Sequence, residues 1–218
     1  MRRDARARTV RSRVIASRSV AASLVAWAVV TSGCATAKPQ PLQVAAAVDH
    51  VSFVVVGGER ARGRGRRGGA STNWAQQVFQ SGLADQATMV NLGRAGFTAA
   101  DGSNLQADLD RLHPTVGALW VGDDEALRSV PIATFRTAFA ALLDRLKAAG
   151  VTRLLVAVIP PWDDAGLTAA AVGSYNEVIR AVSAVRPFVT LVDLTPNGGK
   201  AEDDPDAIAK VFIAALKE

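Results

Sequence analysis

The chain has 218 residues, of which 49% are hydrophobic and 21% charged, a balance that can bury a core and does not describe a disordered chain. Its net charge of +5 sits at one end: residues 1–34 hold seven of the 25 basic residues and one of the 20 acids, leaving 18 basic and 19 acidic residues, a net of −1, for the rest. A nucleic-acid role argued from overall charge is therefore excluded, and a single cysteine excludes an intrachain disulfide or a cysteine-based zinc site.

In chain order, residues 1–18 are arginine-rich and residues 19–31 (SVAASLVAWAVVT) form a short apolar run. Spanning a bilayer takes roughly 20 residues, so the run is too short for that. A basic stretch followed by a short apolar one is the pattern of an export signal. Thr31-Ser32-Gly33-Cys34 closes it and resembles the lipobox of bacterial lipoproteins, except that Thr31 stands where that motif prefers leucine. The resemblance implies acylation at Cys34, with the protein exported and anchored in the cell envelope. Ordinary secretion, an uncleaved anchor and a cytoplasmic chain are the alternatives. Residues 35–48, with two prolines and many small side chains, read as a tether, and residues 49–218 as the domain proper.

Residues 51–57 (VSFVVVG) are β-branched and continuously apolar, as a buried parallel strand should be. Helix is expected over 71–83, with Ser71 or Thr72 as its N-cap, then strand at 88–92 and helix over 99–112. Strand follows at 116–121, and a long amphipathic helix over 132–149 is stopped by Gly150. Strand at 152–159 is halted by Pro160-Pro161. Helix 168–185, strand 189–194 and helix 205–216 complete the chain. Five short apolar strands alternating with helices predict a flavodoxin-like α/β/α sandwich on a parallel sheet ordered 2-1-3-4-5. Ligands in such folds sit at the carboxyl ends of the strands. Function is therefore to be sought in 57–70, 93–98, 122–131, 160–167 and 195–204.

Several pieces at those places, in this order and spacing, resemble the SGNH/GDSL hydrolase family. They are NLGRAGFT at 91–98, LWVG at 119–122, VIPP at 158–161, SYN at 174–176 and LVDL at 191–194. The resemblance implies the SGNH fold and an esterase or lipase site. That site has a serine in a Gly-Asp-Ser turn after the first strand. A glycine after the second strand and an asparagine after the third form its oxyanion hole, and an Asp-x-x-His before the last helix supplies the base. The serine needs the base to take its proton, and the tetrahedral intermediate needs donors aimed at its oxygen.

The chain departs from this set. Gly57-Gly58-Glu59 stands at the serine turn, and Gly63, four residues on, puts Glu59 in register with the nucleophile; a slip of one would put Arg60 there. Gly96 matches the family glycine, Asp124 replaces the asparagine, and residues 196–205 hold no histidine. His50 and His113 sit before strands, a strand length of roughly 15–20 Å from the site. Ser71 reads as a helix cap more readily than as a displaced nucleophile. Glu59, Gly96 and Asp124 are thus the family-equivalent site positions, expected to be inactive in ester hydrolysis.

Arg60, Arg62, Arg64, Arg66 and Arg67 alternate with glycines after the first strand. They suit phosphate, an anionic glycan or a lipid headgroup, or are simply a solvated loop. Neither a P-loop nor interleaved aromatics accompany them. Glu59, Asp123, Asp124, Glu125, Asp203, Asp204 and Asp206 lie on the same edge. They pair with the arginines, or are solvated turn residues, or form a carboxylate or metal site, though no calcium-loop spacing is present. Trp162, at the end of the fourth strand, is a candidate pocket wall, while Trp74 and Trp120 read as core. The expected role is binding or scaffolding of a glycan, an anionic lipid or an envelope protein, with no cofactor and no metal. A divergent esterase is the rival.

Overall fold

The computed structural model describes residues 51–63, 73–83, 87–161, 167–195 and 204–218. All lie in one unit, Ala46–Glu218. Five parallel strands are ordered β2-β1-β3-β4-β5: β1 Val51–Gly57, β2 Ala87–Asn91, β3 Val116–Trp120, β4 Arg153–Val158 and β5 Val189–Asp193. This is the expected order. β1 reads as a continuous apolar run because both its faces are covered: Phe53, Val54, Val55 and Val56 are each at most 1% exposed. Register places Val55 beside Asn91 on one side and Ala118 on the other.

The helices are α1 Glu59–Arg62, α2 Trp74–Gly82, α3 Gln106–Leu112, α4 Asp123–Leu127, α5 Ile132–Ala148, α6 Ala169–Ala184 and α7 Pro205–Lys217. A 3-10 turn, Ala99–Leu105, precedes α3. Helix α2 packs on α7, and α5 packs on both α6 and the 3-10 turn. Each layer has its aromatic centre. Trp74 stacks on Phe212 at 4.4 Å between centroids, with Trp120 beside them; Phe135 meets Tyr175 edge-on at 5.2 Å. On α5, Phe135, Phe139, Leu142, Leu143 and Leu146 are fully buried. Each such side chain contributes about 1.5–3 kcal/mol over its exposed state.

The structure corrects three local expectations. The N-cap of α2 is Asn73, whose side chain accepts from the Ala75 N–H at 2.8 Å, and not Ser71 or Thr72. The helix expected over 99–112 begins as 3-10, Ala99–Leu105, and is capped by Asp101, which accepts from both the Thr98 N–H and its hydroxyl at 2.8 Å. The segments after β1 and β3 open directly with short helices, α1 and α4. Trp74 and Trp120 are core, as expected.

Candidate functional site

The chain leaves β1 for β2 on one side and reaches β3 on the other, so the turns after β1 and β3 diverge and leave a crevice. Gly57 makes the first turn possible. Its φ is +146°, and a Cβ there would stand 2.0 Å from the Trp120 carbonyl oxygen. Helix α1 follows at once, with Glu59 as its half-buried first residue. Four residues cannot sustain a helix alone, and other elements hold this one. Trp74 Nε1 donates to the Arg60 carbonyl at 2.8 Å, Asn91 Nδ2 to that of Ala61 at 2.9 Å and Asn73 Nδ2 to that of Arg62 at 3.0 Å.

Opposite lies α4, which begins with three acids in three environments. Glu125 is 2% exposed. Its Oε1 accepts from the Ala99 N–H at 2.6 Å and its Oε2 from the Gly122 N–H at 2.9 Å, clasping the segments that follow β2 and β3. Burial raises its pKa against the pull of those bonds. Asp124 reaches the crevice, half-buried. Its Oδ2 lies 2.5 Å from where a Cβ on Gly58 would stand, and Arg128 Nη2 is 3.8 Å from its Oδ1. Burial raises its pKa, Arg128 opposes this, and the Glu59 and Asp101 charges add to it. Asp123 points inward and is 6% exposed, its Oδ1 without a hydrogen-bond partner. Burial first, then the neighbouring Asp124, pushes it up to about 7.

Gly96, after β2, has φ +71°, and Arg128 Nη2 donates to its carbonyl at 3.1 Å. A Cβ on Gly96 would come within 2.6 Å of that guanidinium. Arg94 lies over the Phe97 ring at 5.1 Å and 3.6 Å from Asp101. Burial would raise the pKa of Asp101, but the Thr98 bonds and the Arg94 and Arg128 charges bring it below its ordinary value.

Glu59, Gly96 and Asp124 thus come to one edge, with Gly57 and Gly122. Arg60 is half-buried on α1 and Arg62 exposed. Trp162, Cys34, Ser71, His50, Asp203 and Arg64, Arg66 and Arg67 lie outside the described residues. His113 is an exposed left-handed C-cap of α3 before β3, remote from the crevice by its place in the fold. The reading of the acids as solvated turn residues fails for Asp123 and Glu125, which are buried. Asp204 caps α7 by accepting from the Asp206 and Ala207 N–H groups, and Asp206 accepts from Gln77. Among the described residues no group of three acids, histidines or cysteines is placed to hold a metal. Sequence reasoning missed Arg128 as the partner of Asp124, although their i,i+4 spacing was a usable signal.

A five-stranded parallel sheet with a crevice lined from the ends of β1, β2 and β3 is the architecture of an SGNH-type hydrolase fold. Residues 55–211 match the model of the GDSL-like Lipase/Acylhydrolase family, and the chain belongs to that family. A search of curated proteins finds no match. Among solved structures it is similar to TesA, at 21% identity over 76% of this chain and 98% of that one, with a TM-score of 0.64. It is also similar to LAE5, an alpha/beta hydrolase enzyme from the metagenome of Lake Arreo, Spain (18%, 77% and 95%, TM-score 0.61). A Clostridium thermocellum family 3 carbohydrate esterase is a further match (19%, 76% and 94%, TM-score 0.60). At these identities the likeness is one of fold.

Proposed function

We propose that this protein is a GDSL-fold binding module of the cell envelope that does not hydrolyse esters. One observation carries the reading. Glu59 and Asp124, which the resemblance puts in place of the serine and the asparagine, bring two carboxylates to this edge, near enough that the Glu59 charge acts on Asp124. An ionised carboxylate accepts hydrogen bonds and donates none, so it repels an oxyanion. Residues 196–205 also lack the histidine that would take a nucleophile's proton. Carboxylate acceptors beside Arg94 and Arg128 suit a ligand carrying both hydroxyl and anionic groups, such as a glycan. An anionic lipid headgroup or an envelope protein is the other partner class, with Arg60, Arg62 and Trp162 as candidate contacts. The basic and apolar segments before Cys34 support export and anchoring through an acylated Cys34, with secretion as the alternative.

The test is hydrolysis of a short-chain aryl ester, and labelling by a fluorophosphonate probe, with protein from residue 35 onward. Neither should rise above background, and Glu59→Ser should be equally inert for want of a base. Probe labelling abolished by changing one serine, such as Ser71, would instead establish the second reading, a divergent ester hydrolase. The family match over residues 55–211 favours that reading.

A further inference from the structure

Among the described residues, Asp123 is the one carboxyl with a buried oxygen that no donor reaches. Its surroundings are specific. On its own helix stand Asp124 and Glu125, both of like charge; the Asp124 backbone N–H and, from α1, Arg60 act in the opposite sense. Glu59, Asp101 and Arg128 act in turn on Asp124. The Asp123 Oδ1 lies 3.7 Å from where a Cβ on Gly58 would stand, with the Asp124 Oδ2 nearer to the same point at 2.5 Å. A neutral carboxyl fits this packing. An ionised one, beside two other carboxylates, needs a donor at Oδ1, which has none. The wall on that side is the β1–α1 turn. Gly58 is tied to β3 by a long bond, its N–H reaching the Trp120 carbonyl at 3.3 Å.

We propose that Asp123 is a proton latch on the crevice: protonated, it keeps the β1–α1 turn packed against the start of α4, and deprotonated, it displaces that turn and admits water. The latch rests on the binding-site reading only for where a ligand would sit. Its readout is backbone exchange, so an active esterase and a failed latch are separate results. The experiment is amide hydrogen exchange on the whole chain from about pH 5.5 to about pH 8.5, corrected for intrinsic rates, beside the Asp123 13Cγ shift. In wild type, protection at residues 58–61 should fall about tenfold, with the midpoint of the Asp123 titration. Asp123→Asn should remove the fall and Asp124→Asn should keep it. Constant protection while Asp123 titrates, or the same fall in Asp123→Asn, overturns the proposal. Should the Asn variant not fold, the wild-type midpoints decide alone: amides and carboxyl titrating more than about one pH unit apart overturn it.

Discussion

Replacing Glu125 by glutamine changes one atom in a site where both carboxylate oxygens accept from buried backbone N–H groups. Glutamine has one acceptor oxygen and one NH2, so either the Ala99 or the Gly122 N–H, held at 2.6 and 2.9 Å in the wild type, must face a donor. An unsatisfied buried donor costs about 1–3 kcal/mol, and the surviving bond loses its charge assistance. Removing a charge that burial disfavours offsets part of this. The net expectation is a loss of about 2 kcal/mol for Glu125→Gln. Glu125→Ala, which strands both N–H groups and leaves a cavity, should lose about 3–5 kcal/mol. In a domain of this size about 2 kcal/mol lowers the Tm by roughly 4–8 °C. Urea unfolding followed by tryptophan fluorescence reads the difference. A glutamine variant within about 0.5 kcal/mol of wild type would refute the clasp, because surface substitutions lie in that range.

Gly96→Ala forces a Cβ to within 2.6 Å of the Arg128 guanidinium at a positive φ, and should cost about 1–2 kcal/mol by the same unfolding assay. Asp123 sets a pH dependence. Its folded pKa, about 7, lies above the ordinary 3.8, so the stability it contributes is complete below about pH 4 and is lost as pH rises through 7. That is a loss on the order of 4 kcal/mol, which Asp123→Asn should remove from a pH series of unfolding curves. Cys34→Ser should release the protein from the membrane fraction if acylation anchors it, and fractionation with mass spectrometry of the mature N-terminus reads this directly.

The sheet was legible because parallel strands buried on both faces are written as unbroken apolar runs, and β1 and β4 are such runs. The two short helices were not. Glu59–Arg62 and Asp123–Leu127 are too short to show a helical period, and what holds α1 is a set of side chains from distant segments. The cap at Asn73 was missed because Ser71 and Thr72, two positions and one position before it, are capping types as well. The edge on which Glu59, Gly96 and Asp124 gather could be read from strand order alone. The depth of Asp123 and Glu125 could not, since three consecutive acids show no period that separates a buried one from an exposed one, and only the packing encloses those two and leaves Asp124 half-buried. Trp162 and the glycine-arginine stretch 64–69, singled out by composition, fall outside the described residues.

The support of α1 by Asn73, Trp74 and Asn91 has a consequence for the order of assembly. A four-residue helix does not persist before its partners are in place. Its carbonyls wait for Asn91 at the end of β2 and for the cap and first residue of α2. The first wall of the crevice therefore forms only after β2 has joined β1 and α2 has docked. A nascent chain that has not yet emitted residue 91 carries the sequence of α1 but not the wall.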